Sequence, residues 1–341
     1  MASIFESARC WFLHSGIQES SGGVARYYRS DLEKNARVST EITGYAASAL
    51  AYLGQKEEAA RAADYLVEQA WDAAAQIFPF EPGSPLAYFF DTGIIARGLL
   101  ATHRVTGDDR FRERAEEAAV SLAFDFLGDG VFHPVIELPE KQPLSYETRW
   151  SRSPGCYQLK SALAWLEAGG EAGGRLFESL LRASLASHEL FLEGLDPEAT
   201  MDRLHAYCYF LEALLWVSDR DDVRAALRGG IARAAALLRE ISPRFERSDV
   251  CAQILRVRLI AHHQGAVELD GNAASDEADR AAAYQSASND PRLRGGFWFG
   301  RKGGEMLPFM NPVSTAFAMQ ALALWNEHQS GEWRFELCEL I

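Results

Sequence analysis

Six times along the chain a short polar cluster meets an apolar run at helical spacing. Val38-Ser-Thr-Glu-Ile-Thr-Gly-Tyr45 runs into AASALAYL, and Ser39, Thr40 and Glu41 ahead of that run have the composition of a helix N-terminus. Phe90-Asp91-Thr92-Gly93 opens IIARGLLATHRVTG, and Arg152-Ser153-Pro154-Gly155 opens CYQLKSALAWLEAGG. Arg203-Leu-His205-Ala-Tyr207 leads CYFLEALLWVSD, Arg247-Ser248-Asp249 leads VCAQILRVRLIAHH, and Asn311-Pro312 leads into AFAMQALALWNEHQ. Anchored at Gly44, Gly93, Pro154, His205, Val250 and Ser314, the spacings are 49, 61, 51, 45 and 64 residues. A degenerate sixfold repeat of this kind signals a repetitive architecture.

Each opener except the last is followed by a second, amphipathic helical pattern across a short turn. The pattern predicts helices over 39–53 and 57–71, 90–106 and 109–127, 154–168 and 173–190, 202–218 and 220–240, and 248–263 with a weaker one near 274–287. The helix expected over 312–328 lacks a mate after it, and the one expected over 2–15 lacks a mate before it. Pairing these two gives twelve helices in six hairpins. Openers poor in charge and rich in Gly, Ala and aromatics read as an inner ring, and the amphipathic helices as an outer one. The expected fold is all-α, an (α/α)6 toroid filling 1–341 as one domain. Its long linkers, 19–38, 128–152 and 289–311, all precede inner helices, so they should crowd one rim.

Composition narrows the function. The 341 residues are 48% hydrophobic and carry a formal charge of -14, which disfavours nucleic acid or an anionic membrane surface as the main partner. The five cysteines, Cys10, Cys156, Cys208, Cys251 and Cys338, are odd in number and show no CxxC spacing, as expected of reduced thiols. Glu6 and Arg9 interrupt the N-terminal apolar stretch, which argues against a signal peptide, and no stretch is long and apolar enough to span a membrane. The expectation is a cytoplasmic protein without membrane insertion.

Three rim segments combine rings and cations: Arg26-Tyr27-Tyr28-Arg29, Tyr146-Glu-Thr-Arg149-Trp150-Ser-Arg152, and Phe297-Trp298-Phe-Gly-Arg301. Rings stack on sugar faces and arginine holds a carboxylate through paired hydrogen bonds. Arg26, Tyr27, Arg149, Trp150, Arg152 and Trp298 are therefore the candidate substrate-binding residues. Their plainer role is core capping by the rings with the cations in solvent. Candidate acids and bases are Glu41, Asp91, Tyr146 and His205, since cleavage of a glycosidic bond commonly needs two carboxylates about one sugar. Against this, Asp91 and Asp249 occupy positions where helix N-caps belong, Glu41 suits a first-turn dipole position, and a lone His at a helix start is commonly a structural hydrogen bonder. Asn311-Pro312 reads as a cap followed by an N1 proline. Asp249-Val-Cys251 resembles the zinc pair of prenyltransferase β-subunits, yet the region that supplies a third His in that family reads Asn311-Pro-Val-Ser-Thr. No metal and no other cofactor is expected.

Taken together, Gly22-Gly23-Val-Ala-Arg-Tyr-Tyr, Thr40-Glu41-Ile-Thr-Gly-Tyr45, Phe90-Asp91-Thr92-Gly93 and a Thr-Gly-Asp turn resemble the toroid proteins of bacterial exopolysaccharide gene clusters. More distantly the chain is similar to six-hairpin glycosidases, uronate lyases and sugar epimerases. The resemblance implies work on an oligosaccharide or polysaccharide, with acidic sugars favoured by the arginines. It does not name a catalytic pair. A non-catalytic saccharide-binding or scaffolding protein, and a prenyl- or terpenoid-binding toroid, are the alternatives.

Overall fold

The structure is a computed structural model that describes residues 4–341. Among these are twelve α-helices: α1 (Ile4–His14), α2 (Thr40–Tyr52), α3 (Lys56–Tyr65), α4 (Phe89–Thr106), α5 (Asp109–Phe124), α6 (Gln158–Ala168), α7 (Glu171–Ser187), α8 (Pro197–Leu214), α9 (Asp221–Ile241), α10 (Ser248–His263), α11 (Gly271–Ala282) and α12 (Pro312–Ser330). Residues 2 and 3 of the helix expected over 2–15 lie outside the described residues. The chain divides into two compact units, one of residues 18–26 and 37–187 and the other of 4–17, 27–36 and 188–341. The α2–α7 unit thus holds three hairpins. The α8–α12 unit holds two hairpins and α1, which packs against α12 as the missing mate.

The two helix classes follow from residue spacing. On α9, Val223, Leu227, Ile231, Ala234, Leu238 and Ile241 are buried at intervals of three and four, leaving an arginine-rich outer face. On α10, by contrast, every residue from Ser248 to Ala261 is buried. Its arginines survive burial by pairing: Arg256 meets Glu212 and lies 4.0 Å over the Phe317 ring, and Arg258 binds both oxygens of Glu277 at 2.9 and 2.6 Å.

Two helix starts differ from expectation. α8 begins at Pro197 rather than 202, because Asp196 accepts from the Ala199 N–H at 2.9 Å and Pro197 sits at the first helical turn. α6 begins at Gln158 rather than 154, since Trp150–Arg152 form a separate 3-10 turn and Pro154 follows it. The linkers also hold short strands that the helical pattern does not announce: β1 (Tyr28–Arg29), β2 (Lys34–Asn35), β3 (Leu86–Tyr88), β4 (Leu127–Gly128), β5 (Val131–Phe132), β6 (Val135–Glu137), β7 (Gln142–Pro143), β8 (Phe245–Arg247), β9 (Gly300–Lys302), β10 (Glu305–Met306) and β11 (Phe309–Met310). They form small antiparallel sheets in the orders β3-β6-β7 and β4-β5 in the α2–α7 unit, and β11-β1-β2 and β10-β9-β8 in the other. Pairing satisfies backbone groups that long linkers would otherwise leave open. It also fixes the entry to two inner helices: β3 runs directly into α4, and β8 into α10.

Candidate active site

In the α2–α7 unit, backbone contact sets the geometry. A Cβ on Gly44 would lie 2.9 Å from the Ile95 Cα, and Gly98 packs against Gly44 itself, so α2 and α4 touch main chain to main chain. Their N-termini therefore run side by side, with Glu41 in the first turn of α2 and Asp91 in the first turn of α4. Neither carboxylate is a cap. Ser39 caps α2 through Ile42, and the α4 cap position is Tyr88, which makes no side-chain cap bond. Asp91 is therefore not an N-cap, and neither is Asp249, since the α10 cap position is Arg247. Asp91 is buried, and its Oδ2 has no hydrogen-bond partner among the described residues.

Burial raises the Asp91 pKa well above the ordinary aspartate value, and the charge of Glu41 raises it further, against a weaker opposing pull from Arg26. Glu41 is also raised, by burial, with Arg26 favouring its ionised form. The two environments thus push the carboxyls apart in role: Asp91 holds its proton while Glu41 is the readier to ionise.

Around this pair stand rings and cations. The Arg26 guanidinium lies 5.7 Å from the Phe80 ring centre and has no carboxylate at ion-pair distance among the described residues. Arg152 donates to Glu147 at 2.7 Å and lies 6.0 Å from the Tyr88 ring centre, so that cation is already engaged. Trp150 is half-buried, edge-on to Tyr157 at 5.0 Å and to Phe90 at 6.3 Å. Tyr157 is buried, and its hydroxyl pKa is raised well above the ordinary value by burial and then by Asp91. Arg149 and Tyr146 are exposed, and the Tyr146 hydroxyl meets His133 Nδ1 at 2.9 Å. Glu41, Asp91, Arg26, Trp150 and Arg152 are thus in one unit with Tyr146 and Arg149 at its surface.

The remaining candidates, His205, Tyr27 and Trp298, belong to the α8–α12 unit. His205 lies well inside α8, not at its start. Its Nδ1 is 2.8 Å from Gln253 Oε1 and its Nε2 is 2.8 Å from the Tyr209 hydroxyl. Asp249 Oδ2 is 3.5 Å from Nδ1, yet this is not an ion pair. Arg247 takes both Asp249 oxygens, at 3.0 and 2.7 Å, and burial pushes the His205 pKa from 6.5 down to about 4, so the imidazole is neutral. Asp249 shows the balance from the other side: burial alone would raise its pKa, but Arg247 and His205 together hold it below the usual value. Arg247 also reaches Asp202 Oδ1 at 2.9 Å and covers the Phe299 ring at 4.7 Å. Tyr27 packs edge-on against Phe309 at 5.1 Å. Trp298 is half-buried, its main chain tied to Tyr284 and Ser248 while its ring makes no aromatic contact among the described residues.

Three of these partners escape the repeat pattern. Tyr209 is one helical turn beyond His205, and Arg247 is two residues before Asp249; both spacings are visible in the sequence. Gln253 carries no such signal. Cys251 is fully buried and its thiol pKa is raised well above the ordinary value by burial, and Asn311 caps α12 through Val313 and Ser314. Asp249 is thus bound on both oxygens to Arg247 as a buried ion pair.

No protein-family model matches the chain, and no curated protein matches it in sequence. Solved structures do match it in shape. The cellobiose 2-epimerase of Spirochaeta thermophila superposes with a TM-score of 0.71 at 12% identity, over 96% of each chain. A D-mannose isomerase gives 0.68 at 9% identity, over 95% of this chain and 96% of its own. A family 76 glycoside hydrolase (mannosidase) of Bacteroides thetaiotaomicron gives 0.57 at 11% identity, over 97% of this chain and 100% of its own. Likeness at such identities speaks to architecture alone, and it bears out the resemblance to sugar epimerases and six-hairpin glycosidases at that level: the chain has the (α/α)6 toroid fold of six helical hairpins.

Proposed function

We propose that the protein is a carbohydrate-active enzyme that cleaves a glycosidic bond in an oligosaccharide or polysaccharide, with Asp91 as the proton donor. The observation that carries this reading is the state of Asp91, a buried carboxyl with an unpartnered oxygen and a raised pKa beside a second carboxyl. A general acid must still hold its proton near neutral pH, and burial next to a like charge is how a carboxylic acid does so. Asp91 would protonate the departing glycosidic oxygen. Glu41, kept the more acidic by Arg26, would act as the base on water or as the nucleophile. Arg26, whose guanidinium has no carboxylate at ion-pair distance among the described residues, suits a uronate carboxylate on the substrate. The sugar epimerase, isomerase and mannosidase among the structural neighbours support saccharide chemistry, and the exopolysaccharide resemblance supports a role in making or modifying a polymer.

A second reading has its own observation. His205, neutral and bonded to Tyr209, is a group able to move a proton at a sugar carbon, as an epimerase or isomerase requires. The two readings part on leaving-group chemistry. Asp91→Asn and Glu41→Gln are assayed on oligosaccharides and on aryl glycosides with a good leaving group. If Asp91 is the acid, Asp91→Asn loses about 10²-fold or more on oligosaccharides but far less on the aryl substrates, which need no proton. Unchanged cleavage by both variants, or activity that depends on His205 alone, would overturn it.

A further inference from the structure

Helix α5 in the α2–α7 unit carries two faces. Phe111, Ala115, Ala118, Ala119 and Leu122 are buried, as an outer helix requires. The opposite face has a second stripe: Glu113, Glu117, Val120 and Phe124 follow one another at intervals of four, three and four, and all four are exposed. Val120 is 57% and Phe124 74% exposed, and Leu127 and Val131 on the adjoining β4-β5 hairpin extend the apolar end. Val120, Phe124, Leu127 and Val131 thus leave an apolar patch open to solvent, which a monomer's outer surface does not need.

The stripe itself lines a groove of about 480 Å³, together with Glu116 and Asp125 and with Trp71, Gln76 and Lys141 from outside the helix. A protruding ring and a groove that lies along the same helix are complementary to themselves under a two-fold axis. Charge follows the same symmetry. Glu113, at the start of the stripe, has no ion-pair partner among the described residues, while Lys141 lies near the far end beside Asp125, which it meets at 2.7 Å.

We infer that this face binds a second copy of the chain, with antiparallel α5 helices crossing at Val120. In that arrangement each Phe124 ring enters the other copy's groove beside Trp71, and each Lys141 comes over the other copy's Glu113. The apolar centre supplies the association, and the two charge pairs set its antiparallel direction. The occupant is this chain itself because ring, groove, anion and cation all lie on one face.

The test is sedimentation equilibrium of the full chain over a wide concentration range. The expected result is a reversible monomer–dimer equilibrium in which Phe124→Asp, at a site too exposed to threaten folding, weakens association by tenfold or more. Lys141→Glu should weaken it less, and the swapped double variant Lys141→Glu with Glu113→Lys should restore association toward the wild-type level. A wild type that stays monomeric at all concentrations overturns the inference. So does a dimer indifferent to Phe124→Asp, or a double variant no better than Lys141→Glu alone. Cleavage activity is a separate measurement, so failure here leaves the assignment of Asp91 standing.

Discussion

Asp91, the third residue of α4, and Asp249, the second of α10, occupy similar places and behave in opposite ways. Each follows a three-residue strand that runs without a break into an inner helix, β3 into α4 and β8 into α10, and each sits in that helix's first turn. Burial is the largest influence on both carboxyls and pushes both pKa values upward. What separates them is the residue two positions earlier. Before Asp249 stands Arg247, whose guanidinium closes on both carboxylate oxygens, and the pKa ends below the usual value. Before Asp91 stands Phe89, the charge that acts on it most strongly is another carboxylate, and the pKa ends well above. The first turn of an inner helix thus carries a structural ion pair in one case and a stored acid in the other, according to the charge that faces it.

The largest effect should come from removing Arg247. Arg247→Leu leaves Asp249 buried with its main counter-charge gone, which typically costs about 3–5 kcal/mol. Urea unfolding should show a loss of that size. Replacing Asp249 by Leu as well should recover much of it, because the stranded charge is then absent. A loss below about 1 kcal/mol, the scale of an exposed pair, would mean that Arg247 does not set the state of Asp249.

The next effect comes from His205, beside the same ion pair. Its pKa is about 4 in the fold and 6.5 otherwise. Below pH 6.5 the unfolded chain takes up a proton that the folded chain refuses until about pH 4. Stability present above 6.5 is therefore lost as pH falls through that window, by on the order of 3 kcal/mol at its lower end. His205→Gln, which cannot be protonated, should flatten this part of the stability–pH curve. An unchanged slope would show that the imidazole is not held neutral.

The carboxyl pair of the other unit gives the opposite sign. Above the ordinary aspartate pKa of about 3.9 an unfolded Asp91 releases its proton while the folded one retains it. Stability therefore falls as pH rises through the window between those two values. Asp91→Asn has no proton to lose, so it should melt a few degrees higher than wild type at pH 7, and the gap should close as pH approaches 4. Melting curves across this range decide the matter. A gap that is constant, or that reverses, would mean that Asp91 is ionised in the fold.

Sequence periodicity carries most of the fold because burial imposes it. Val223 to Ile241 on α9 keep the three-and-four spacing of one apolar stripe, and α10 runs from Ser248 to His263, the bounds its pattern predicts. It does not reach the start of α8, because the Asp196-Pro197 cap lies outside the apolar run that Arg203 leads. The short strands were illegible because two- and three-residue ladders such as β8 and β9 depend on partners some fifty residues away. The site was half legible. Glu41 and Asp91 stand at equivalent helix starts, but their proximity depends on Gly44 meeting Gly98, a main-chain contact with no periodic trace. The sequence marks Arg152 as a candidate binding residue, but its pairing with Glu147 depends on the 3-10 turn at Trp150–Arg152, which has no periodic signal.

That last difference gives the smallest effect and completes the comparison, because it concerns cations instead of acids. Arg247 and Arg152 each have a carboxylate, whereas Arg26 feels the charge of Glu41 and Asp91 without bonding either. A bound uronate would therefore find Arg26 ready and Arg152 engaged. A charged hydrogen bond is worth about 1.5–3 kcal/mol, so Arg26→Ala should weaken an acidic oligosaccharide roughly tenfold or more relative to a matched neutral one. Arg152→Ala breaks a partly exposed pair with Glu147, a contact of about 0–1 kcal/mol, and should shift the acidic ligand by only a few-fold. Titration of both ligands into wild type and the two variants separates the roles. Equal losses for neutral and acidic ligands on removing Arg26 would make it a structural residue and end the preference for acidic sugars. A larger loss from Arg152 than from Arg26 would mean that the Glu147 contact opens when substrate binds.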